Sequence, residues 1–318
     1  MAHLIETMAY VNATPWHGLG EKLEPKQTLE IWAEKAGLNF EILDSPVHYK
    51  TASDESQSII LPFEDQKVLY RSDTKAALSV VSSRYQVVQP EEILEFYRDL
   101  TEIAGYEMET AGVLKGGRKI WALARTGDSI SVKGNDLING YLLLATACDG
   151  TLATTAQFTS VRVVCNNTLA LAVGDKAHAV KVPHSTTFDA EEVKRKLGIS
   201  ISGWDRFKHH MHALADRKVN DQESENFIRK VFGADMDEGY ISLNQYAMKK
   251  VQMLFEGHGR GAELQSARGT AFGLLNAVTE FVDHEKRARD LSARLDSAWF
   301  GKGASLKQKA LETALAMV

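Results

Sequence analysis

Cysteine is nearly absent: the 318 residues include two, Cys148 and Cys165. Two thiols make no disulfide framework, so a reducing compartment is the natural setting. Nor can they furnish a zinc ribbon or an iron–sulfur cluster. Long apolar runs are missing as well. No stretch reaches eighteen uninterrupted apolar residues, which predicts no membrane span. The opening MAHLIETMAYVNATPW lacks a basic segment followed by an apolar block, so no secretory leader is expected and the expected location is the cytoplasm. A positive excess is absent too: the formal net charge is −5 and the pI near 6.1. A duplex-DNA binder usually shows a basic footprint, and this balance argues against one. Residues 1–187 hold 17 Lys and Arg against 23 Asp and Glu; residues 188–318 hold 20 against 19. Any polyanion site must be a local patch.

What is present reads as two blocks without internal repeats. In the first, QTLEIWAEKAG (27–37) predicts a short helix closed by Gly37. Residues 39–88 turn extended, with SDE, EDQ and SDTK as turns between β-rich runs. Pro90-Glu91-Glu92 opens a helix to about Ala104. Strand-like runs then follow in pairs, joined by LKGG and by Asp149-Gly150, a strong hairpin signal. VRVV is one more extended piece. The Asn166-Asn167 pair after it predicts a helix N-cap, with LALAVG starting the helix, and AHAVKVPH reads as a last strand. From Phe188 onward helical periodicity dominates, over 189–214, 222–232, 240–256, 267–288 and 304–317. The expected class is α+β: a largely antiparallel sheet with helices over 1–187, followed by a helical region over 188–318.

Four stretches carry candidate chemistry. Cys165 precedes the expected helix start, where a helix N-terminus and Arg162 would favour its thiolate, with His178 or His184 as a partner base. The plain alternative is a small buried apolar residue at a strand end. In GTAFGLLNAVTEFVDHEKRAR, residues Ala271, Leu274, Leu275, Val278, Phe281 and Val282 form one apolar face. Opposite them run Gly269, Gly273, Asn276, Glu280, Asp283 and Arg287. Two glycines there predict a close approach to the backbone, and Glu280, Asp283 and His284 form part of a possible divalent-metal set. An ordinary polar face is the competing reading. The third stretch, KRKLGISISGWDRFKHHMHALADRK (194–218), mixes seven Lys and Arg with Trp204 and Phe207. Cations that track phosphates and rings that stack on bases suit single-stranded nucleic acid. Arg195, Lys196, Arg206 and Lys208 are the phosphate candidates, and Trp204 and Phe207 the stacking candidates; a solvated amphipathic helix is the alternative. His209, His210 and His212 lack the spacing of a metal pair. PWHGLG (15–20) is no dinucleotide fingerprint, and LKGGRK (114–119) is no phosphate loop. No motif names a cofactor.

PWHGLG, FTSVRVVCNNTL, GLLNAVTEFVDH and RLDSAWFGKGASLKQKAL together resemble the phage/plasmid-like protein family, catalogued as domain of unknown function 932. The resemblance runs from about Trp16 to Leu311. Its matching positions are Trp16, His17, Gly18, Gly20, Arg162, Cys165, Asn167, Thr168, Asn276, Thr279, Asp283, His284, Asp296, Trp299 and Gly301; Glu280 lies in the same block. It implies a mobile-element setting and supplies no catalytic residues. The first expectation is a non-enzymatic protein that binds single-stranded DNA in annealing or recombination, as a homo-oligomer. The second is an enzyme on a small or nucleotide-like ligand, using Cys165 or the Glu280/Asp283/His284 face. The third is an interaction module for a host or phage protein. Convergence of PWHGLG, VRVVCNNTL and NAVTEFVDH on one cleft would favour a small-ligand site.

Overall fold

Strands that alternate apolar side chains on both faces need cover on both faces. Two strands here do so in the computed structural model, which describes residues 7–12, 20–51, 58–162, 167–170, 179–198, 201–233 and 241–318. Strand β7 (Lys119–Val132) pairs antiparallel with β8 (Asp136–Ala147). Trp121, Leu123, Tyr141 and Leu143 point to one side and meet Leu295 from the C-terminal helices. Ile120, Ala122, Leu142 and Leu144 point to the other and meet α1 (Leu29–Lys35) and α2 (Pro90–Glu102). The buried Tyr97 hydroxyl fastens α2 to the sheet, donating towards the carbonyls of Ala122 and Leu142 at 2.8 and 3.0 Å.

Around this pair the main sheet runs β10-β9-β8-β7-β6-β1-β2. The flanking strands are β1 (Met8–Tyr10), β2 (Glu21–Lys22), β6 (Glu107–Leu114), β9 (Thr154–Arg162) and β10 (Asn167–Ala170). β11 (Ala179–Val182) shares the outer edge of β9 with β10. All pairs but β1–β2 are antiparallel. A second sheet holds β3 (Ile42–Lys50), β4 (Ile60–Arg71) and β5 (Ala77–Ser82) in that order. Helices α3 (Ala190–Gly198), α4 (Ile201–Asp216), α5 (Asp221–Phe232), α6 (Ile241–Met253), α7 (Ala271–Glu280), α8 (Leu291–Phe300) and α9 (Lys302–Leu315) follow. The α+β class with a mostly antiparallel sheet is therefore the observed one. Val193 and Leu197 of α3 join the core beneath the sheet, and Ile130, Val132 and Ile138 join the helical core. Among the described residues no helix is long and apolar enough to cross a membrane.

Four local expectations need correction. Asn167 does not start a helix: residues 167–170 form β10, paired with Thr159–Arg162, because the edge of β9 offers a ladder that local capping cannot outbid. EDQ (64–66) is no turn, since β4 runs straight through it and absorbs Glu64-Asp65-Gln66 as a bulge opposite Pro46 and Val47. Asp149-Gly150 does lie between paired strands, with Gly150 at φ +75°, but the connection spans 148–153 rather than two residues. Residues 291–300 form α8, which periodicity did not single out.

Candidate functional site

The basic stretch folds as α3 and α4. On α4, Phe207 sits with Met211 and Leu214 in the helical core, 1% exposed. It has no open ring face for a base, because the spacing that made it look interleaved with cations is also that of the buried stripe. Trp204, half-buried, stacks on Phe207 at a 5.5 Å centroid distance and an 27° interplanar angle. Its indole edge also crowds Gly140, where an added Cβ would stand 3.1 Å away. Arg206 and Lys208 are exposed, with no carboxylate partner among the described residues. Arg195 is exposed in the same way, whereas Lys196 pairs with Glu192 at 2.7 Å. Burial, then the electrostatic influence of His209 and Arg206, push the His210 pKa down. α4 thus exposes Arg206 and Lys208, with the exposed carboxylate of Asp205 between Trp204 and Arg206 in sequence.

The described family-motif residues on β9 and the C-terminal helices are buried or half-buried and mostly interlocked. Arg162 grips Asp136 with two parallel bonds, Nε to Oδ1 at 2.8 Å and Nη2 to Oδ2 at 2.6 Å. The Ser266 hydroxyl donates to the same carboxylate, and Arg162 also reaches the Gly261 carbonyl at 3.2 Å. Glu280 accepts the Arg260 backbone N–H at 2.9 Å, and burial raises its pKa. The Arg260 side chain in turn reaches the His284 ring at 3.1 Å. Asp283 is tied to Lys307 at 2.8 Å, both buried. Asp296 takes Lys115 at 2.7 Å and Lys119 still closer, and these cations outweigh burial in holding its pKa down. Trp299 stands edge-on to Trp121 at 4.9 Å. Asn276 donates to the Phe272 carbonyl at 2.8 Å, and Thr279 to the Asn276 carbonyl at 2.9 Å.

Each carboxylate of the expected metal set therefore has a protein partner. Among the described residues no group of three His, Cys, Asp or Glu stands close enough to hold a metal. The glycine-bearing face of α7 is closed as well. All ten residues of α7 are buried, and a Cβ on Gly273 would fall 2.0 Å from the Ala267 carbonyl oxygen. The close approach predicted from the glycines is real, but it comes from the chain's own preceding loop. Gly269 lies outside the helix, in a left-handed turn at φ +62°. Sequence reasoning missed Asp136, Ser266, Arg260 and Lys307, which carry no local pattern and acquire their roles only through packing.

β10 runs against α7 and α9, so VRVVCNNTL and NAVTEFVDH do share a neighbourhood. Cys165, Trp16, His17 and Gly18 lie outside the described residues, and for Asn167 and Thr168 only the strand is described. Gly20 borders β2 at the opposite edge of the sheet from β10. Its φ of +107° and the Met8 carbonyl 2.8 Å from a would-be Cβ both demand glycine. His184 stacks on Tyr85 at 4.5 Å and bonds the Gln86 and Leu152 carbonyls, both ring nitrogens engaged. The second thiol, Cys148, is buried, and its pKa is raised to about 12 by burial.

A cavity of about 550 Å³ opens beside α1 and α2. Val11, Leu29, Trp32 and Met108 supply an apolar floor; Asn12, Lys26, Arg98, Tyr106 and Glu107 stand among its polar groups. Burial raises the Tyr106 pKa.

Comparison with curated proteins gave no match, and comparison with solved structures gave none. The model of one family, the domain of unknown function DUF932, matches residues 77–299. The match starts after PWHGLG and the second sheet's first two strands, and takes in β6 to β11, α2 and all of α3 to α7. It covers most of the chain and every buried ion pair described above except that of Lys307, and the chain belongs to the DUF932 family.

Proposed function

We propose that the chain is a non-enzymatic nucleic-acid-handling protein of a mobile element that binds single-stranded DNA along α4. The observation that carries this reading is Trp204, half-buried and backed by Phe207, one helical turn from the exposed Lys208, with the exposed Arg206 further round the same helix. A ring held rigid from beneath offers its remaining surface to a base at little entropic cost, and the flanking cations meet phosphates. Phe207 supports the platform rather than stacking itself. The carboxylates an enzyme would need, Glu280 at the end of α7 and Asp283 just beyond it, are engaged in a backbone bond and an ion pair, which further favours a binding role. The test is fluorescence anisotropy of labelled single-stranded and duplex oligonucleotides at two salt concentrations. Micromolar single-strand binding that weakens steeply with salt, and at least about tenfold on Arg206→Glu/Lys208→Glu, is expected. Absence of binding at low salt overturns the reading.

The cavity beside α1 and α2 favours a second reading, a small-ligand binder. Its size falls in the range of ligand sites, about 300–1,000 Å³, and an aromatic floor under a polar rim suits a flat, partly polar molecule such as a nucleoside. Nucleoside titrations that shift the Trp32 emission in the wild type, and fail to in Thr101→Trp, would support it. A flat titration removes it.

A further inference from the structure

The second sheet carries an arm. β5 pairs only with residues 66–70 of β4, whereas β3 continues along β4 as far as the Lys50–Ile60 pair. Beyond Pro46 the arm is a two-stranded ribbon. Val47 stands opposite Phe63 and Tyr49 opposite Leu61, and the Thr51 N–H donates to the Ile59 carbonyl at 3.0 Å. Directly opposed residues share a face, as do alternate residues along each strand. Val47, Tyr49, Ile59, Leu61 and Phe63 therefore line one side. Tyr49, Ile59, Leu61 and Phe63 are 49%, 57%, 37% and 42% exposed, and none of the five joins a hydrophobic cluster of the chain. Two strands alone are marginal in water, and a contiguous apolar face of this kind marks an interaction surface.

Charge selects the partner. Residues 44–67 carry five acidic side chains against two basic ones. Glu64 and Asp65, at the root of the ribbon, are exposed and make no ion pair among the described residues. Such a surface is repelled by nucleic acid and by anionic lipid. The same molecule offers its complement on α6. Tyr246 and Met253 are 45% and 47% exposed, two turns apart on one face, with Lys249 between them. The Arg287 guanidinium lies 5.4 Å from the Tyr246 ring centroid. Neighbouring Lys250 is taken up by Glu285 at 3.1 Å, but Lys249 and Arg287 have no carboxylate partner among the described residues.

We propose that the ribbon of one copy docks on the α6 patch of the next, with apolar residues against Tyr246 and Met253, and Glu64 and Asp65 against Lys249 and Arg287. Two different surfaces meet, so the contact is head-to-tail and propagates as a ring or filament. Light scattering on a concentration series of the full chain tests this. The wild type is expected to gain mass in whole-chain steps. Leu61→Ser/Phe63→Ser and Lys249→Glu/Arg287→Glu are each expected to stay monomeric, with unchanged circular dichroism and melting, since all four residues are at the surface. Mixed together, they should form a 1:1 dimer and nothing larger, because one intact ribbon and one intact patch remain. A wild type that is monomeric up to its solubility limit overturns the proposal. So does either variant assembling like the wild type, a mixture that stays monomeric or grows further, or a ribbon that binds neutral lipid vesicles in place of a second copy.

Discussion

Asp283 and Lys307 show what a charged residue inside this fold is for. Both are buried, and burial, only partly offset by Asp283, holds the Lys307 pKa down. Asp283→Asn would remove the carboxylate charge that faces the buried Lys307, and breaking a buried pair in this way costs about 3–5 kcal/mol. Asp283→Asn/Lys307→Met removes both charges and should recover most of that loss in urea unfolding. A double variant no more stable than the single one would mean that the pair does more than neutralise itself. Asp296 gives a pH signature. Its folded pKa is depressed, so its contribution is present above the ordinary carboxylate value of 3.8 and is lost as pH falls through the folded pKa. Over that acid limb the unfolded chain binds the extra proton. Asp296→Asn should therefore lower the melting temperature at neutral pH and converge on the wild type once the pH falls below the folded pKa. Equal gaps at both pH values would show that Asp296 acts through packing alone.

At the scale of elements, α7 sets two rules against each other. Ala is the better helix former than Gly by about 1 kcal/mol, so Gly273→Ala should stabilise on propensity alone. A Cβ there would stand 2.0 Å from a backbone oxygen that no side-chain rotation can clear. Sterics should win, with the urea midpoint falling; a rise would mean that the loop before Thr270 yields freely. The same helix shows how far a sequence can be read. Its apolar stripe is visible as periodicity, and so are α2, with Pro90 in the first turn, and the β6–β7 and β8–β9 hairpins. What escapes local reading is decided by distant partners. Asn167 looks like a cap, yet it lies on β10 because β9 has an open edge there. Residues 64–66 look like a turn, yet pairing on either side carries β4 through them. The site divides in the same way. The cations of α4 were legible, because exposure is the default for Arg and Lys. Phe207 was not, because one helical stripe serves equally as stacking surface and core. The roles of Glu280 and Asp283 depend on Arg260 and Lys307, 20 and 24 residues away in sequence.

For the whole molecule, the net charge of −5 and the exposed Arg206 and Lys208 of α4 pull in opposite directions. A polyanion must approach a negative body to reach these few exposed cations, so association should be weak and strongly screened by salt. Single-strand binding loses about 0.7 in logarithmic slope per phosphate contact, and Arg195, Arg206 and Lys208 together predict a slope of about −2. Neutralising any one of them should reduce it by about 0.7. The pH dependence is a sharper discriminator. In the free protein His210 is held below its ordinary value of 6.5, by burial first and then by the electrostatic influence of His209 and Arg206. A bound phosphate chain would offset that influence and raise the His210 pKa. By linkage, complex formation then takes up a proton, and affinity should rise as pH falls from 8 towards 6. His210→Gln should flatten that rise while leaving binding at pH 8 unchanged. If affinity is indifferent to pH in the wild type, the phosphates do not run past α4, and its exposed cations serve solubility alone.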